Sequence, residues 1–482
     1  MPQKPSIVLI YSDQHRGDTL GCVGHPVVIT PNLDRIAREG VIFRRCYTNS
    51  PLCVPARASL ISGQYVNVHG AWDNSAPADR YGPSHVRNIR DAGYHTALVG
   101  KTHLLTDEQG LGDWGYEDTT EVHSTLATTR TRNAWTQHLA EKGLLDAYSE
   151  SILEYNRVNW SFTRMPWREP PAPIPTEDHV DNFVGRKAVE WIRSYEDDRP
   201  FYLQVLFPGP HPPFNSAPEY RALYRPERMP VGILESPEPP IAPYVDYVMK
   251  WSAPLQEMTP LQMQLLRTFY YAKVTMIDER IGDILKALEE TGRLGNTWII
   301  YTSDHGENLG DHRLNQKVVF YESAIHVPFL IRPPGGVTGW QTDGLTDHLD
   351  LVNTLLDIAG AGSLDHCDGR SLVTKVQAGP EAGDAQTGKE RIFSEVAGYS
   401  MVYTGRHKLA VDAKTGHQVE FYDLKEDPDE LRNRVEEPSL EGLRKELQQQ
   451  YLGPFLSNLD RDKFHAFEER LQSRGRPGIQ RS

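Results

Sequence analysis

Cysteine is scarce. Four cysteines (Cys22, Cys46, Cys53 and Cys367) stand in 482 residues, and no two form a CxxC pair. They are too sparse to be a disulfide framework. Positive charge is also short: 51 Lys+Arg face 65 Asp+Glu, a formal net charge of −14. With no basic excess to neutralise phosphates, general nucleic-acid or membrane-surface binding is excluded, and an anionic ligand would need a local cluster of cations inside a cleft. Long apolar runs are missing as well. The start, MPQKPSIVLIYSD, carries one short apolar run without a signal-peptide cleavage pattern, and no later stretch reaches membrane-spanning length. The expectation is therefore a soluble cytoplasmic protein that engages neither membrane nor nucleic acid. There is no internal repeat and no low-complexity tract. What remains is length, enough for a large core: several domains' worth of material, or one large α/β unit with an appendage.

SIVLIYSD (residues 6–13) is a nearly continuous apolar run, as expected of a strand buried on both faces of a parallel sheet. TPNLDRIAREG follows with helical spacing, Thr30 as N-cap, Pro31 at the first turn and Gly40 as the stop. VIFRRCYTN reads as a strand, and a helix is expected from about Pro55. The alternation continues through strand YHTALVGK, helix DNFVGRKAVEWIRSY, strand PFYLQVLF, the long helix LLRTFYYAKVTMIDERIGDILKALEETG and strand TWIIYTSD. Repeated βα alternation predicts a doubly wound α/β fold with a large, mainly parallel sheet flanked by helices. Residues 160–178, with Trp160 and Trp167, and residues 226–260 are proline-rich, and read as long loops at an active site or interface. A Gly/Ala-rich stretch near 375–390 reads as a linker. Beyond it, RIFSEVAG, SMVYTGRHKLAV and VEFYDL predict a small antiparallel sheet, and SLEGLRKELQQQYL a helix. The expected division is a catalytic α/β domain over 1–375 and a C-terminal subdomain over 376–482.

Two apolar strands end alike. VLIYSDQH delivers Asp13 and Gln14, and IIYTSDHG delivers Asp304 and His305. In open α/β sheets ligands sit beyond the carboxyl ends of the strands, and two carboxylates, an amide oxygen and an imidazole suit Ca²⁺, Mn²⁺ or Mg²⁺. Either pair alone is as well explained by an aspartate capping the next helix; the two together point to a metal. The third feature is PLCVPARASLISGQY, residues 51–65. Cys53 and Arg57 are four apart at the start of the expected helix, where free N–H groups and a guanidinium favour an anion. A buried structural cysteine is the plainer reading of Cys53 taken alone, and it is the expectation for Cys22, Cys46 and Cys367.

The stretch CVPARASLISGQY resembles the C-x-P-x-R signature of the sulfatases. Also similar to that family are Asp13, GKTHL (residues 100–104), PHPPF (210–214), SDHGENLGDH with Lys317 beyond it, and the late FYDLKEDPDELRN. These motifs occur in family order over residues 6 to about 435. The resemblance implies membership of the alkaline phosphatase superfamily, and that Cys53 is oxidised to formylglycine by a dedicated generating enzyme. The hydrate of that aldehyde would be the nucleophile, and Cys53, Asp13, Gln14, Asp304 and His305 would ligate one divalent ion, Ca²⁺ or Mn²⁺. Arg57 would hold the hydrate. GKTHL reads as strand-like, which puts Lys101 and His103 on one face; Lys101 would bind the sulfate and His103 assist breakdown of the covalent intermediate. His211 and Lys317 would surround the bridging oxygen and protonate the leaving alcohol. Asn74 is a candidate donor to the substrate, while His69 and His312 read as loop histidines without a role.

Many members of the family carry two adjacent aspartates after the first strand and Asp-Asn after the later one. Asp13-Gln14 and Asp304-His305 instead resemble the branch of phosphonate monoester hydrolases and choline sulfatases. The Lys101-Thr102-His103 triplet fits the sulfatase pattern, where phosphonate hydrolases tend to neutral residues. The expected activity is thus hydrolysis of a small anionic sulfate monoester; the alternatives are a phosphonate monoester or phosphodiester hydrolase, or a metal-binding protein whose Cys53 is never oxidised. The insertions and the C-terminal tail suggest a homo-oligomer, with a dimer expected.

Overall fold

The computed structural model describes residues 4–76, 82–104, 108–123, 125–160, 169–365, 367–380 and 388–473. Its strands are β1 (Ser6–Asp13), β2 (Val41–Phe43), β3 (Cys46–Tyr47), β4 (His95–Gly100), β5 (Asp118–Glu121), β6 (Phe201–Pro210), β7 (Thr297–Ser303), β8 (His326–Val327), β9 (Phe329–Arg332), β10 (Trp340–Thr342), β11 (Thr346–Asp347), β12 (Ile392–Val396), β13 (Tyr399–Tyr403), β14 (His407–Asp412) and β15 (Gln418–Asp423). Eight of them form one sheet in the order β10-β2-β9-β7-β1-β6-β4-β5. The run β7-β1-β6-β4-β5 is parallel, and β9 lies antiparallel to both of its neighbours. The expected α/β architecture is present, and β12-β13-β14-β15 form the separate antiparallel sheet.

The apolar run of β1 is explained by where its side chains go. Val8 and Ile10 enter one layer with Phe183, Val184, Ile277 and Ile281 from the helices Val180–Ser194 and Pro260–Glu290. Ile7, Leu9 and Tyr11 enter the opposite layer with Leu60, Ile61, Val352 and Leu355 from the helices Cys53–Ser62 and His348–Ala359. A strand covered on both faces must be apolar at every position. The 31-residue helix Pro260–Glu290 starts where its sequence provides a capping box, Thr259 with Gln262, and Pro260 at the first turn.

Several boundaries differ from the sequence reading. VIFRRCYTN is two short strands, because Arg44 and Arg45 turn the chain out of the main sheet into a second one, β11-β3-β8. SMVYTGRHKLAV is likewise two strands, β13 and β14, with Gly405 at φ 84 between them. The helix Val373–Ala378 runs into the start of the expected linker, and Lys389 is bonded to Asp347 and Asp350 at 2.7 and 3.1 Å; 381–387 lie outside the described residues. Trp160 ends the helix Leu145–Trp160, whereas Trp167 and the tail from 474 onward lie outside the described residues. The stretch 226–260 is only partly irregular, since Pro243–Trp251 is a helix. The C-terminal sheet is packed on the larger body through Tyr47, Leu52, Tyr244 and Phe320 against Ile392, Tyr399 and Met401. Among the described residues no helix is long and apolar enough to cross a membrane.

Candidate active site

Four adjacent strands, β7, β1, β6 and β4, end at the same edge, and each delivers polar groups there. β1 ends at Asp13, β7 is followed by Asp304 and His305, β6 by His211, and β4 by Lys101 and His103. The backbone ties these ends together: His211 N–H donates to the Asp13 carbonyl at 3.0 Å, and Gln14 N–H to Asp304 Oδ1 at 2.9 Å.

The helix carrying Cys53 begins at Cys53 itself, two residues before the expected Pro55, with Leu52 as N-cap. The Leu52 side chain has no polar atom with which to cap it, so Asn74 does so from a distant loop: Val54 N–H donates to Asn74 Oδ1 at 2.9 Å. Asn74 thus lies at the helix start, next to Cys53. Gly63, at φ 69, ends the helix. Cys53 Sγ lies 3.2 Å from His305 Nε2 and 3.8 Å from Asp13 Oδ1. His305 Nδ1 meets the Gly306 carbonyl at 2.9 Å. A carbonyl only accepts, so Nδ1 carries a hydrogen, and in the neutral ring Nε2 is the nitrogen that presents a lone pair.

Arg57 binds both aspartates. Its Nε donates to Asp304 Oδ2 at 2.9 Å, one Nη to Asp13 Oδ2 at 3.2 Å and the other to the Lys101 carbonyl, while the guanidinium lies 5.3 Å from the centre of the Tyr11 ring. Lys101 Nζ is 2.5 Å from Asp13 Oδ2. Burial would raise the Asp13 carboxyl, but Lys101, His211 and Arg57 together hold it well below the usual carboxylate range. Burial and Asp13 push the Cys53 thiol up, and Lys317 with His305 bring it net below its ordinary value. Burial works against the charged form of His305, and Asp304 and Cys53 raise it overall. His211 and His103 are both held well below an ordinary histidine, first by burial and then by neighbouring cations, Lys317 for His211 and Lys101 with Arg57 for His103.

GKTHL is not a strand at its functional end. β4 stops at Gly100, and Lys101, Thr102 and His103 lie in the following loop, with His103 at φ 58. Alternation along a strand therefore does not place this pair; the Glu121 carboxylate does, accepting from both the N–H and the hydroxyl of Thr102 at 3.1 and 2.8 Å. Lys317 Nζ donates to Gln14 Oε1, and the Gln14 amide nitrogen donates to Glu307. His69 is bonded to Ser59 at 2.9 Å and His312 is stacked on Tyr321 at 4.2 Å, both away from the centre. Two contributors escaped the sequence reading. Lys273 is fully buried on the long helix and donates to the carbonyls of His211 and Pro213 at 2.9 and 3.3 Å. Glu307 is equally buried. A lysine on an otherwise apolar helix face was the signal for the first; nothing distinguished the second.

Asp13, Cys53, Asp304 and His305 offer ligand atoms that all lie within 4.8 Å of one another, and all four are buried. Two buried carboxylates, an imidazole and the Cys53 sulfur form a donor set that fits one divalent cation. A family model described as Sulfatase matches residues 5–361. The chain belongs to the sulfatase family. A second family model, N-sulphoglucosamine sulphohydrolase, C-terminal, matches residues 310–453. Among curated sulfatase relatives, an arylsulfatase of Clostridium perfringens is 28% identical over 458 residues, covering 90% of each chain. A multifunctional alkaline phosphatase superfamily protein of Trinickia caryophylli is also 28% identical, covering 96% of this chain and 97% of its own. The crystal structure of a phosphonate monoester hydrolase of Agrobacterium radiobacter superimposes with a TM-score of 0.77 at 25% identity, covering 94% of this chain and 96% of that one.

Proposed function

We propose that this sulfatase-family protein hydrolyses a small sulfate monoester to alcohol and inorganic sulfate, using a formylglycine hydrate made from Cys53 by a formylglycine-generating enzyme. One observation carries the reading: the Cys53 side chain stands at a buried helix N-terminus inside the ring formed with Asp13, Asp304 and His305. Asp13, Asp304, His305 and the residue at 53 would hold one divalent ion, Ca²⁺ or Mn²⁺; the amide oxygen of Gln14, the fifth ligand expected, is bonded to Lys317 instead. Bound there, the ion supplies Lewis acidity to a sulfate oxygen and acidifies a hydroxyl of the hydrate.

The rest is done by the chain itself. Arg57, fixed by Asp304 and Asp13, orients the hydrate, and its charge opposes that of the two buried carboxylates. The hydrate oxygen attacks sulfur in line with the ester oxygen. Lys101 binds a non-bridging sulfate oxygen, and Asn74 adds a neutral donor at the mouth. His211 is neutral through burial; its Nδ1 meets the Pro212 carbonyl at 2.6 Å, so its Nε2 is the bare nitrogen. Lys317 therefore brings the proton to the departing oxygen, and His211 accepts a hydrogen bond beside it. His103, also neutral, takes a proton from the second hydroxyl as the sulfated intermediate eliminates sulfate and the aldehyde re-forms.

A second reading, a phosphonate monoester or phosphodiester hydrolase, is favoured by the Asp13-Gln14 and Asp304-His305 pairs and by the likeness to the Agrobacterium enzyme. Kinetics on 4-nitrophenyl sulfate, a phenyl phosphonate monoester and a phosphodiester, with protein co-expressed with the generating enzyme, separate the two. Higher kcat/KM on the sulfate, abolished in Cys53→Ala, is expected. Preference for the phosphonate or diester would transfer the protein to the second reading. A free thiol at 53 by peptide mass spectrometry in the native host would leave a metal-binding protein.

A further inference from the structure

Beside Lys317 lies a carboxylate that this mechanism does not use. Glu307 is 0% exposed. Its Oε1 accepts from the backbone N–H groups of Leu309 at 3.0 Å and Gln316 at 2.5 Å, and its Oε2 accepts from the Gln14 side-chain amide. An ammonium only donates, so the amide oxygen of Gln14 faces Lys317 and its NH₂ end faces the Glu307 oxygen.

Gln14 has little freedom to respond differently. Its N–H is bonded to Asp304 Oδ1 at 2.9 Å, its carbonyl accepts from the Tyr270 hydroxyl at 2.7 Å, and its φ of 73 is in the left-handed region. Glu307 also acts on Lys317 from the backbone side, because Gln316 immediately precedes the lysine, and Asn308 N–H closes the same loop on the Gln316 carbonyl at 2.8 Å. Gln316 and Val318, on either side of Lys317, have φ values of 71 and 76, in a stretch with neither helix nor strand to support it. The side chain and the backbone of the lysine segment are thus both referred to one buried acid.

We propose that Glu307 is a positioning residue: by fixing the Gln14 amide and the Gln316 backbone, it sets the Lys317 ammonium where the leaving oxygen departs. This rests on the reading of Lys317 as the group that supports that oxygen, and the test keeps the two apart. Wild type, Lys317→Ala, Glu307→Gln and the reciprocal double variant Gln14→Glu/Glu307→Gln are compared on 4-nitrophenyl sulfate, whose phenolate leaves readily, and phenyl sulfate, whose phenolate needs help. Position 53 is verified by mass spectrometry in each.

Lys317→Ala is expected to lose about 10²-fold in kcat on phenyl sulfate and clearly less on the nitrophenyl ester. Glu307→Gln puts an NH₂ where an acceptor stood, so the Gln14 amide turns and offers its own NH₂ to the ammonium. Its kcat on phenyl sulfate is expected to fall about 10- to 100-fold, again with a smaller loss on the nitrophenyl ester and with KM little changed. In the double variant the carboxylate introduced at 14 accepts from both the new amide and Lys317, and the wild-type ratio between the two substrates returns. Equal slowing of both esters in Glu307→Gln, or a double variant that keeps the ratio of Lys317→Ala, would reduce Glu307 to a loop brace. Equal slowing in Lys317→Ala itself would instead overturn the role given to the lysine. If Glu307→Gln does not fold, the double variant decides by the same ratio.

Discussion

Replacing Arg57 by lysine keeps the charge and removes the fork. The guanidinium now meets Asp304 at 2.9 Å, Asp13 at 3.2 Å and the Lys101 carbonyl, and at 4% exposure it does so out of water. A single ammonium cannot span these three acceptors. Asp13 would keep Lys101 at 2.5 Å, but Asp304 Oδ2 would lose the cation bonded to it and keep only the two backbone N–H groups on Oδ1. Breaking a buried pair in this way costs about 3–5 kcal/mol. At roughly 2.1 cal/mol/K of unfolding entropy per residue, about 1 kcal/mol/K for the whole chain, that is a fall in Tm of about 3–5 °C. Since the same side chain is proposed to orient the hydrate, kcat/KM on 4-nitrophenyl sulfate is expected to drop about 10²–10³-fold. Differential scanning fluorimetry on chelator-treated protein reads the first effect without a bound ion offsetting the unpaired charge. Steady-state kinetics on metal-loaded protein reads the second, with the residue at 53 checked by mass spectrometry. An Arg57→Lys protein with unchanged Tm and rates within about twofold of wild type would refute the assignment of the fork as the organiser of both carboxylates.

Chelation of the protein as purified is expected to lower Tm by about 3 °C, corresponding to about 2.7 kcal/mol for an ion present at 100 times its Kd, with recovery on adding Mn²⁺ or Ca²⁺; no change with either would count against the four-residue site. A pH effect is expected in the C-terminal sheet, where Glu395 lies in β12. Burial raises the Glu395 carboxyl from 4.5 to about 8 in the folded chain. Stability is therefore greatest below the unfolded value and is lost as pH rises from 4.5 toward 8, where the folded protein holds a proton the unfolded chain has released. Chemical denaturation should show wild type losing roughly 2–4 kcal/mol more than Glu395→Gln between pH 5 and 8; parallel profiles would refute it.

The parallel core was legible because a strand covered on both faces has no room for polar residues, so β1, β6 and β7 appear in the sequence as uninterrupted apolar runs. The polar strand ends that converge at the candidate site were legible for the same reason: Asp13 and Asp304 are where such runs stop. What pattern could not supply was direction after a strand ends. Lys101 and His103 sit past the last ladder residue, where the chain follows a side-chain contact with Glu121 rather than a two-residue period. The start of the Cys53 helix was misplaced because its cap comes from Asn74, twenty-one residues away in sequence, and no local signal marks it. Glu307 looked like one more acidic residue in a charged loop; only its three donors reveal that it is buried and committed.

The depth of Cys53 also sets a timetable. The side chain is 1% exposed, and the residues that enclose it, Asp304, His305 and Lys317, are synthesised about 250 residues after it. At roughly 5–20 residues per second the interval is roughly 10–50 s. The oxidation proposed for Cys53 would belong to that interval, because once β7 docks beside β1 the thiol is buried away from an external catalyst. On that proposal the dose of active protein in a cell would be decided by a race between a modifying enzyme and the chain's own closure, and slower elongation through the middle of the message would raise specific activity without altering a single residue.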